Sequence, residues 1–291
     1  MLLKELISSG VRVLSDVYPE GEAREIVFAL LEDMLGTRRH THVVDPSYAV
    51  SDENSASVLD AFSRLSSGEP LQYVTGKAYF HGREFKVSPS VLIPRPETEL
   101  LCRMAIEENG RRNNVRMLDM CTGSGCIAWT MALECPGADV TAVDLSDGAL
   151  AVASSQNFED EMKLSGAVPP SFIKADVLDE EFCGRFSHGF DIILSNPPYV
   201  MESEKALMRS NVLDHEPSMA LFVSDDDPLV FYRAVARTAS RLLAEDGFGI
   251  VEINEALGNE TAALFTEVGF PTSKVLQDLS GRDRFVLFKR S

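Results

Sequence analysis

Phe190-Asp191-Ile192-Ile193-Leu194-Ser195-Asn196-Pro197-Pro198-Tyr199 decides how this chain is read. It opens with a short, almost wholly apolar run, the pattern of a strand buried on both faces of a sheet. The two prolines then fix φ, remove two backbone donors and make the strand stop, while biasing Ser195 and Asn196 to extended conformations. Left at the carboxyl end are a side-chain amide, a proline carbonyl and an aromatic ring. Asn196 Oδ1 and the Pro197 carbonyl are acceptors that a sheet ladder does not easily claim, and together they suit the two hydrogens of an NH2 group. Tyr199, next to Pro198, offers a flat face to a planar amide or base. A rigid turn that merely ends a strand is the competing reading.

Working outward, residues from about 97 onward alternate between helical patterns and short buried strands. The strand candidates are residues 115–119, 139–143, 171–174, 190–195, 247–254, 272–276 and 284–289. Such alternation predicts an α/β fold, an open and mainly parallel Rossmann-like sheet with helices on both faces. Only a loop separates the last two candidates, so the terminal strand is expected to be antiparallel. Upstream, residues to about 66 read as helical. Ala23, Ile26, Val27, Leu30, Leu31 and Met34 form an amphipathic stripe closed by Gly36, and Ser51 is placed to cap a helix carrying Val58, Leu59, Phe62 and Leu65. Between the two, aromatic, β-branched and turn-forming residues predict a β-hairpin, with His81 in its turn. The expected organisation is a small N-terminal helical domain over 1–70, a linker and hairpin over 71–95, and an α/β domain over 96–291.

The chain has 291 residues and a formal charge of −18, with acidic clusters at Glu159-Asp160-Glu161, Asp179-Glu180-Glu181 and Asp225-Asp226-Asp227. That sign disfavours a free phosphate backbone and favours a protein partner with a basic surface. No apolar run is long enough to span a membrane and the start has no signal-peptide core, so a cytoplasmic protein, monomeric by default, is expected. The five cysteines form no Cys-x-x-Cys pair and the five histidines show no metal spacing. Buried thiols and no metal are the expectation.

In open α/β sheets ligands bind beyond the carboxyl ends of the strands, where strand order reverses. The first strand ends in Asp119-Met120-Cys121-Thr122-Gly123-Ser124-Gly125-Cys126, whose glycines permit a tight turn and close approach to a ligand. The second ends in Asp144, about 20 residues further on, where a carboxylate accepts the hydroxyls of a ribose. The third ends in Asp176-Val177, placed to meet an adenine edge. Gly123-x-Gly125-x-x-Ala128 with Asp144 also satisfies a loose dinucleotide fingerprint, whereas a phosphate loop is excluded because Cys126 stands where Gly-Lys-Ser/Thr is needed. Asp119 and the Asn-Pro-Pro-Tyr box tip the balance toward S-adenosylmethionine, with S-adenosylhomocysteine as product. Asp144 as a plain helix cap stays open.

Several separated motifs resemble the release-factor glutamine N5-methyltransferases (PrmC/HemK). They are Pro70-Leu71-Gln72-Tyr73-Val74-Thr75-Gly76, Val91-Leu92-Ile93-Pro94-Arg95-Pro96-Glu97-Thr98-Glu99, Thr122-Gly123-Ser124-Gly125, Asn196-Pro197-Pro198-Tyr199, His215-Glu216-Pro217 and Asp278-Leu279-Ser280-Gly281-Arg282-Asp283-Arg284. The Asn-Pro-Pro-Tyr box is shared with N6-adenine DNA methyltransferases; the Ile-Pro-Arg-Pro-Glu-Thr-Glu box is more selective. The resemblance covers almost the whole chain. It implies an N-terminal helical domain that contacts the release factor and a class I S-adenosylmethionine-dependent methyltransferase domain. The implied substrate is the glutamine of the Gly-Gly-Gln loop of class I peptide release factors. Cys121 stands where this family commonly has glycine and resembles the sister enzymes that methylate a glutamine of ribosomal protein L3. On this reading Asn196, Pro197 and Tyr199 are catalytic, and Pro198 joins them in binding the substrate. Glu97 from the linker side and Glu216 beside the substrate loop are further substrate-side candidates, with structural ion pairing as the equal alternative. A nucleobase amino-methyltransferase is the rival class, and predicts a basic groove.

Overall fold

The computed structural model describes residues 1–110 and 112–290. The chain divides into two compact units, Met1–Lys77 with Arg209–His215, and Ala78–Met208 with Glu216–Ser291.

The first unit is helical, with α1 (Leu3–Leu14), α2 (Glu20–Leu35) and α3 (Asp52–Ser66) as its main elements. Their apolar stripes close on one core that includes Leu6, Leu14, Val27, Leu30, Val58, Phe62 and Leu65. The Ser51 hydroxyl accepts from the Asn54 amide at 3.2 Å and so starts α3, and Gly36 ends α2 in the left-handed conformation. Leu71–Thr75, expected within the hairpin region, is instead a short helix. Pro70 precedes its first residue and Gly76, at φ 72°, stops it.

The second unit opens with the hairpin Lys77–Phe80 and Arg83–Lys86. Its turn is His81-Gly82, both at positive φ as a two-residue primed turn requires. The main sheet has seven strands: β1 (Arg116–Met120), β2 (Asp139–Asp144), β3 (Ser171–Lys174), β4 (Phe190–Ser195), β5 (Leu243–Glu252), β6 (Thr272–Gln277) and β7 (Asp283–Lys289). Their spatial order is β6-β7-β5-β4-β1-β2-β3. The strands β5, β4, β1, β2 and β3 pair in parallel, and β7 is antiparallel to both its neighbours.

This is the expected Rossmann-like α/β arrangement, and its strand order reverses between β1 and β4, where a ligand crevice opens. The fifth strand starts at Leu243, earlier than its apolar run suggests, because Leu243 pairs with Phe190 before the register shifts and Phe248 takes up the ladder opposite Ile192. Gly249 on β5 lies opposite Phe288 on β7, and a Cβ there would fall 2.1 Å from that ring, so the strand needs glycine for the aromatic to cross it. Helices α4 (Pro96–Asn109), α5 (Cys126–Glu134), α6 (Asp147–Ser154), α7 (Val230–Leu242) and α8 (Gly258–Glu267) accompany the sheet. No helix among the described residues is long and apolar enough to cross a membrane.

Candidate active site

A cleft of about 180 Å³ opens in the second unit at the ends of β1, β2, β3 and β4. One side of it is built from the loop after β1. Cys121 takes φ 63°, Gly123 φ 56° and Gly125 φ 79°, a left-handed path that lets Thr122 N reach Val143 O at 3.0 Å and Gly125 N reach Thr122 O at 2.9 Å. Glycine adopts this conformation freely, whereas Cys121 holds it at a cost of roughly 1–2 kcal/mol. The Asp144 carboxylate accepts from Gly123 N and from Ser146 N, each at 2.9 Å. The cap of α6 is Ser146, whose Oγ accepts from Ala149 N, so Asp144 serves the glycine loop and leaves a lone pair on each oxygen. Burial raises its pKa against those amide contacts. Gln156, a residue the sequence did not point to, ties this loop to the hairpin by donating to Ser124 O and Lys86 O while accepting from Lys86 N.

The other side is built from side chains. Sheet pairing of β4 ends at Ser195, whose hydroxyl donates to Met120 O at 2.7 Å, and the chain leaves the sheet at Asn196. Asn196 Nδ2 donates to Thr98 Oγ1 at 2.9 Å, and Thr98 Oγ1 donates to Glu252 Oε2 at 2.8 Å. The Tyr199 hydroxyl donates to Glu252 Oε1 at 3.0 Å. Thr98 and Glu252 are buried, and desolvation lifts the Glu252 carboxyl to about 7 despite the Thr98 and Tyr199 hydrogen bonds and the Arg284 guanidinium. A second layer stands behind: Asn254 Nδ2 donates to Tyr199 O and to Glu204 Oε2, and Asn254 N donates to the Tyr232 hydroxyl.

Of the residues singled out from sequence, Thr122, Gly123, Ser124, Asp144, Asp176, Val177, Asn196 and Pro198 line the cleft. The side chains of the others do not line it. Asp119 is buried, accepts from the Thr122 hydroxyl at 2.6 Å and is lifted to about 7 by burial, so it braces the loop instead of facing a ligand. Gly125 is set by close packing, since a Cβ there would meet Ala153 Cβ at 3.0 Å. Pro197 is buried, and Tyr199 turns its hydroxyl inward to Glu252, a bond that fixes where its ring stands. Glu97 does not line the cleft and acts on Glu252 through its charge. The Glu216 side chain is 1% exposed and accepts from Arg95 Nη2 at 2.5 Å and Ile93 N at 3.3 Å, stapling the Ile93–Arg95 wall.

Thr98 and Glu252 escaped the sequence reading. Thr98 lies inside a quoted motif, but Glu252 sits in an apolar strand pattern where only its charge marks it. Cys121 also lines the cleft, and burial with Asp144 and Asp119 nearby pushes its thiol well above the ordinary range, so it is no nucleophile near neutrality. Among the described residues no three His, Cys, Asp or Glu side chains gather to hold a metal ion.

Residues 5–76 match the PrmC N-terminal domain and residues 97–216 the Methyltransferase small domain. A release factor glutamine methyltransferase of Flavobacterium psychrophilum is 36% identical, covering 98% of this chain and 98% of the relative. The chain belongs to the release factor glutamine methyltransferase family. A second release factor glutamine methyltransferase, from Bacteroides thetaiotaomicron, is 38% identical over 95% of this chain and 96% of its own. A solved protein-(glutamine-N5) methyltransferase (release factor-specific) from Alicyclobacillus acidocaldarius is 32% identical, covering 71% of this chain and 99% of that one, with a TM-score of 0.43.

Proposed function

We propose that this protein transfers a methyl group from S-adenosylmethionine to the side-chain amide nitrogen of the glutamine in the Gly-Gly-Gln loop of class I peptide release factors. The observation that carries the reading is Asn196 at the lip of a cleft shared with the Gly123 loop and Asp144. Family membership narrows the amide to that of a release factor, and the helical region before residue 70 is assigned to recognising it.

The donor set fits an adenosyl sulfonium. Asp144 keeps free lone pairs for ribose hydroxyls, Asp176 and Val177 offer a polar edge and an apolar wall to a purine, and a Cβ at Gly123 would meet open space. When bound, the cofactor supplies a methyl group on a positively charged sulfur. An amide nitrogen attacks poorly because its lone pair is delocalised into the carbonyl. Asn196 Oδ1 and the Pro197 carbonyl each accept one N–H of the substrate glutamine, which holds the nitrogen in place and eases loss of that delocalisation. Orientation carries most of the rate; the nitrogen releases one proton to water as it gains the methyl, and S-adenosylhomocysteine would leave as the neutral thioether.

The test is mass spectrometry of a recombinant class I release factor, with ribosomal protein L3 alongside, after incubation with this protein and S-adenosylmethionine. A single methyl on the Gly-Gly-Gln glutamine is expected. Methylation of L3 alone would move the substrate to the sister enzymes, and methylation of neither would overturn the reading.

A further inference from the structure

Asn196 can meet a substrate NH2 group only if its oxygen, and not its nitrogen, faces the cleft. The two ends of a side-chain amide have nearly the same shape, so something must choose between them. Thr98 Oγ1, 2.9 Å from Asn196 Nδ2, has one hydrogen and two lone pairs. When Glu252 is ionised it can only accept, so the Thr98 hydrogen goes to Glu252 Oε2 at 2.8 Å. Thr98 then has only lone pairs to offer Asn196, and the amide must present its nitrogen to Thr98 and its oxygen to the substrate. A proton on Glu252 reverses the logic. The carboxyl now donates to Thr98, the Thr98 hydrogen turns to Asn196, and the amide is free to flip, offering NH2 to NH2.

Resting on the function proposed above, we infer that Glu252 is a positioning residue. Through the Thr98 hydroxyl its charge sets the orientation of the Asn196 amide, with Oδ1 toward the substrate nitrogen. The same charge draws electron density toward Oδ1, which favours a nitrogen gaining positive charge as it is methylated.

The surroundings let Glu252 hold this role near neutral pH. Burial raises its pKa to about 7. The groups facing it are Tyr199 after β4, Arg284 on β7, Glu97 and Cys102 on α4, Cys126 on α5 and Tyr232 on α7. Burial holds Cys102, Cys126, Tyr199 and Tyr232 protonated well above neutrality. Arg284 stays charged, so among the groups at this end Glu252 changes charge near pH 7. Asp119, braced by Thr122 at the other side of the cleft, is the second group lifted to about 7.

The experiment is steady-state methylation of a recombinant class I release factor from pH 5.5 to 8.5 by wild type, Glu252→Gln, Thr98→Val and Thr98→Ser. S-adenosylhomocysteine affinity is measured in parallel. In wild type kcat falls below pH 7. Glutamine can turn either end to Thr98 and so removes the choice: Glu252→Gln lowers kcat by roughly 10-fold or more at pH 8 and abolishes the acidic limb, with KM for the release factor and cofactor affinity little changed. Thr98→Val gives a similar loss, and Thr98→Ser, which restores the hydroxyl, recovers most of the rate. Should Glu252→Gln fail to fold, the Thr98 pair decides alone. Wild-type kcat in Glu252→Gln or Thr98→Val, or an acidic limb that survives in Glu252→Gln and so belongs to Asp119, overturns the inference. A wild type that binds S-adenosylhomocysteine yet methylates neither release factor nor ribosomal protein L3 defeats the function reading instead.

Discussion

The two sides of the cleft are made of different materials. Around Gly123 the work falls to backbone: three residues at positive φ, amides aimed at Asp144, and a loop held by Gln156. Around Asn196 it falls to side chains drawn from α4, β5 and the segment after β4, linked through one buried carboxylate. A backbone-built site is fixed once the turn is formed, with Asp119, lifted to about 7, bracing it from behind through Thr122. A site wired through a buried carboxylate is only as well set as the charge on that group. The contrast teaches that binding and turnover in this protein should respond to different perturbations.

The sharpest way to break that comparison is Asn196→Ala. It should lower kcat about 100-fold or more, as loss of one oriented polar contact at a reacting centre does, while S-adenosylhomocysteine binding by calorimetry falls far less. Near-normal turnover would refute the role of Asn196. The reverse pattern is expected of Asp144→Ala, which removes the carboxylate from the Gly123 loop. Its affinity for S-adenosylhomocysteine should drop roughly 10- to 100-fold, and kcat at saturating cofactor should fall much less.

A third, smaller effect concerns pH and stability. Glu252 and Asp119 both sit near 7 in the folded chain, well above their ordinary carboxylate values. Between about pH 4.5 and 7 the folded state therefore holds protons that the unfolded state has lost, and stability declines as pH rises through 7. Denaturant titrations should show Glu252→Gln gaining on wild type by about 2 kcal/mol between pH 5.5 and 8.5. Activity moves the other way, because the charged form that weakens the fold is the one that orients Asn196. The smallest effect is at Cys121: glycine there should stabilise by up to about 1 kcal/mol by relieving the left-handed backbone, and valine should destabilise by about 2 kcal/mol.

How far the sequence carried the fold and site follows from the range of each signal. Apolar periodicity and turn chemistry act over a few residues, so α2, α3, β4, the His81-Gly82 turn and the antiparallel β7 were all legible. So was the switch point, because strand order in α/β sheets places the cleft beyond the ends of β1 and β4. The Glu252 network was not, since Thr98, Asn196 and Glu252 are separated by 98 and 154 positions along the chain and meet only when α4, β4 and β5 pack. Glu216 was legible as either a substrate-side group or an ion-pair partner, but the same distance hid which, since Arg95 lies 121 positions away. The Tyr199–Glu252 bond was hidden for a related reason: nothing local reveals that an inward-facing acceptor exists to claim the hydroxyl.

The position of β7 has a consequence for how the protein comes to life. Although it follows β6 in sequence, β7 lies between β6 and β5 and pairs Phe285 against Glu252 itself. During synthesis the strand that carries Glu252 therefore keeps an open edge until residues 283–289 emerge, and Arg284, the cation that steadies the carboxylate, emerges with them. A chain halted before that point already owns the glycine loop, Asp144 and the Asn-Pro-Pro-Tyr segment, yet lacks the cover that desolvates its key acid. Competence in this enzyme family member is thus expected to switch on late, with the closing of a sheet and not with the making of its cofactor pocket.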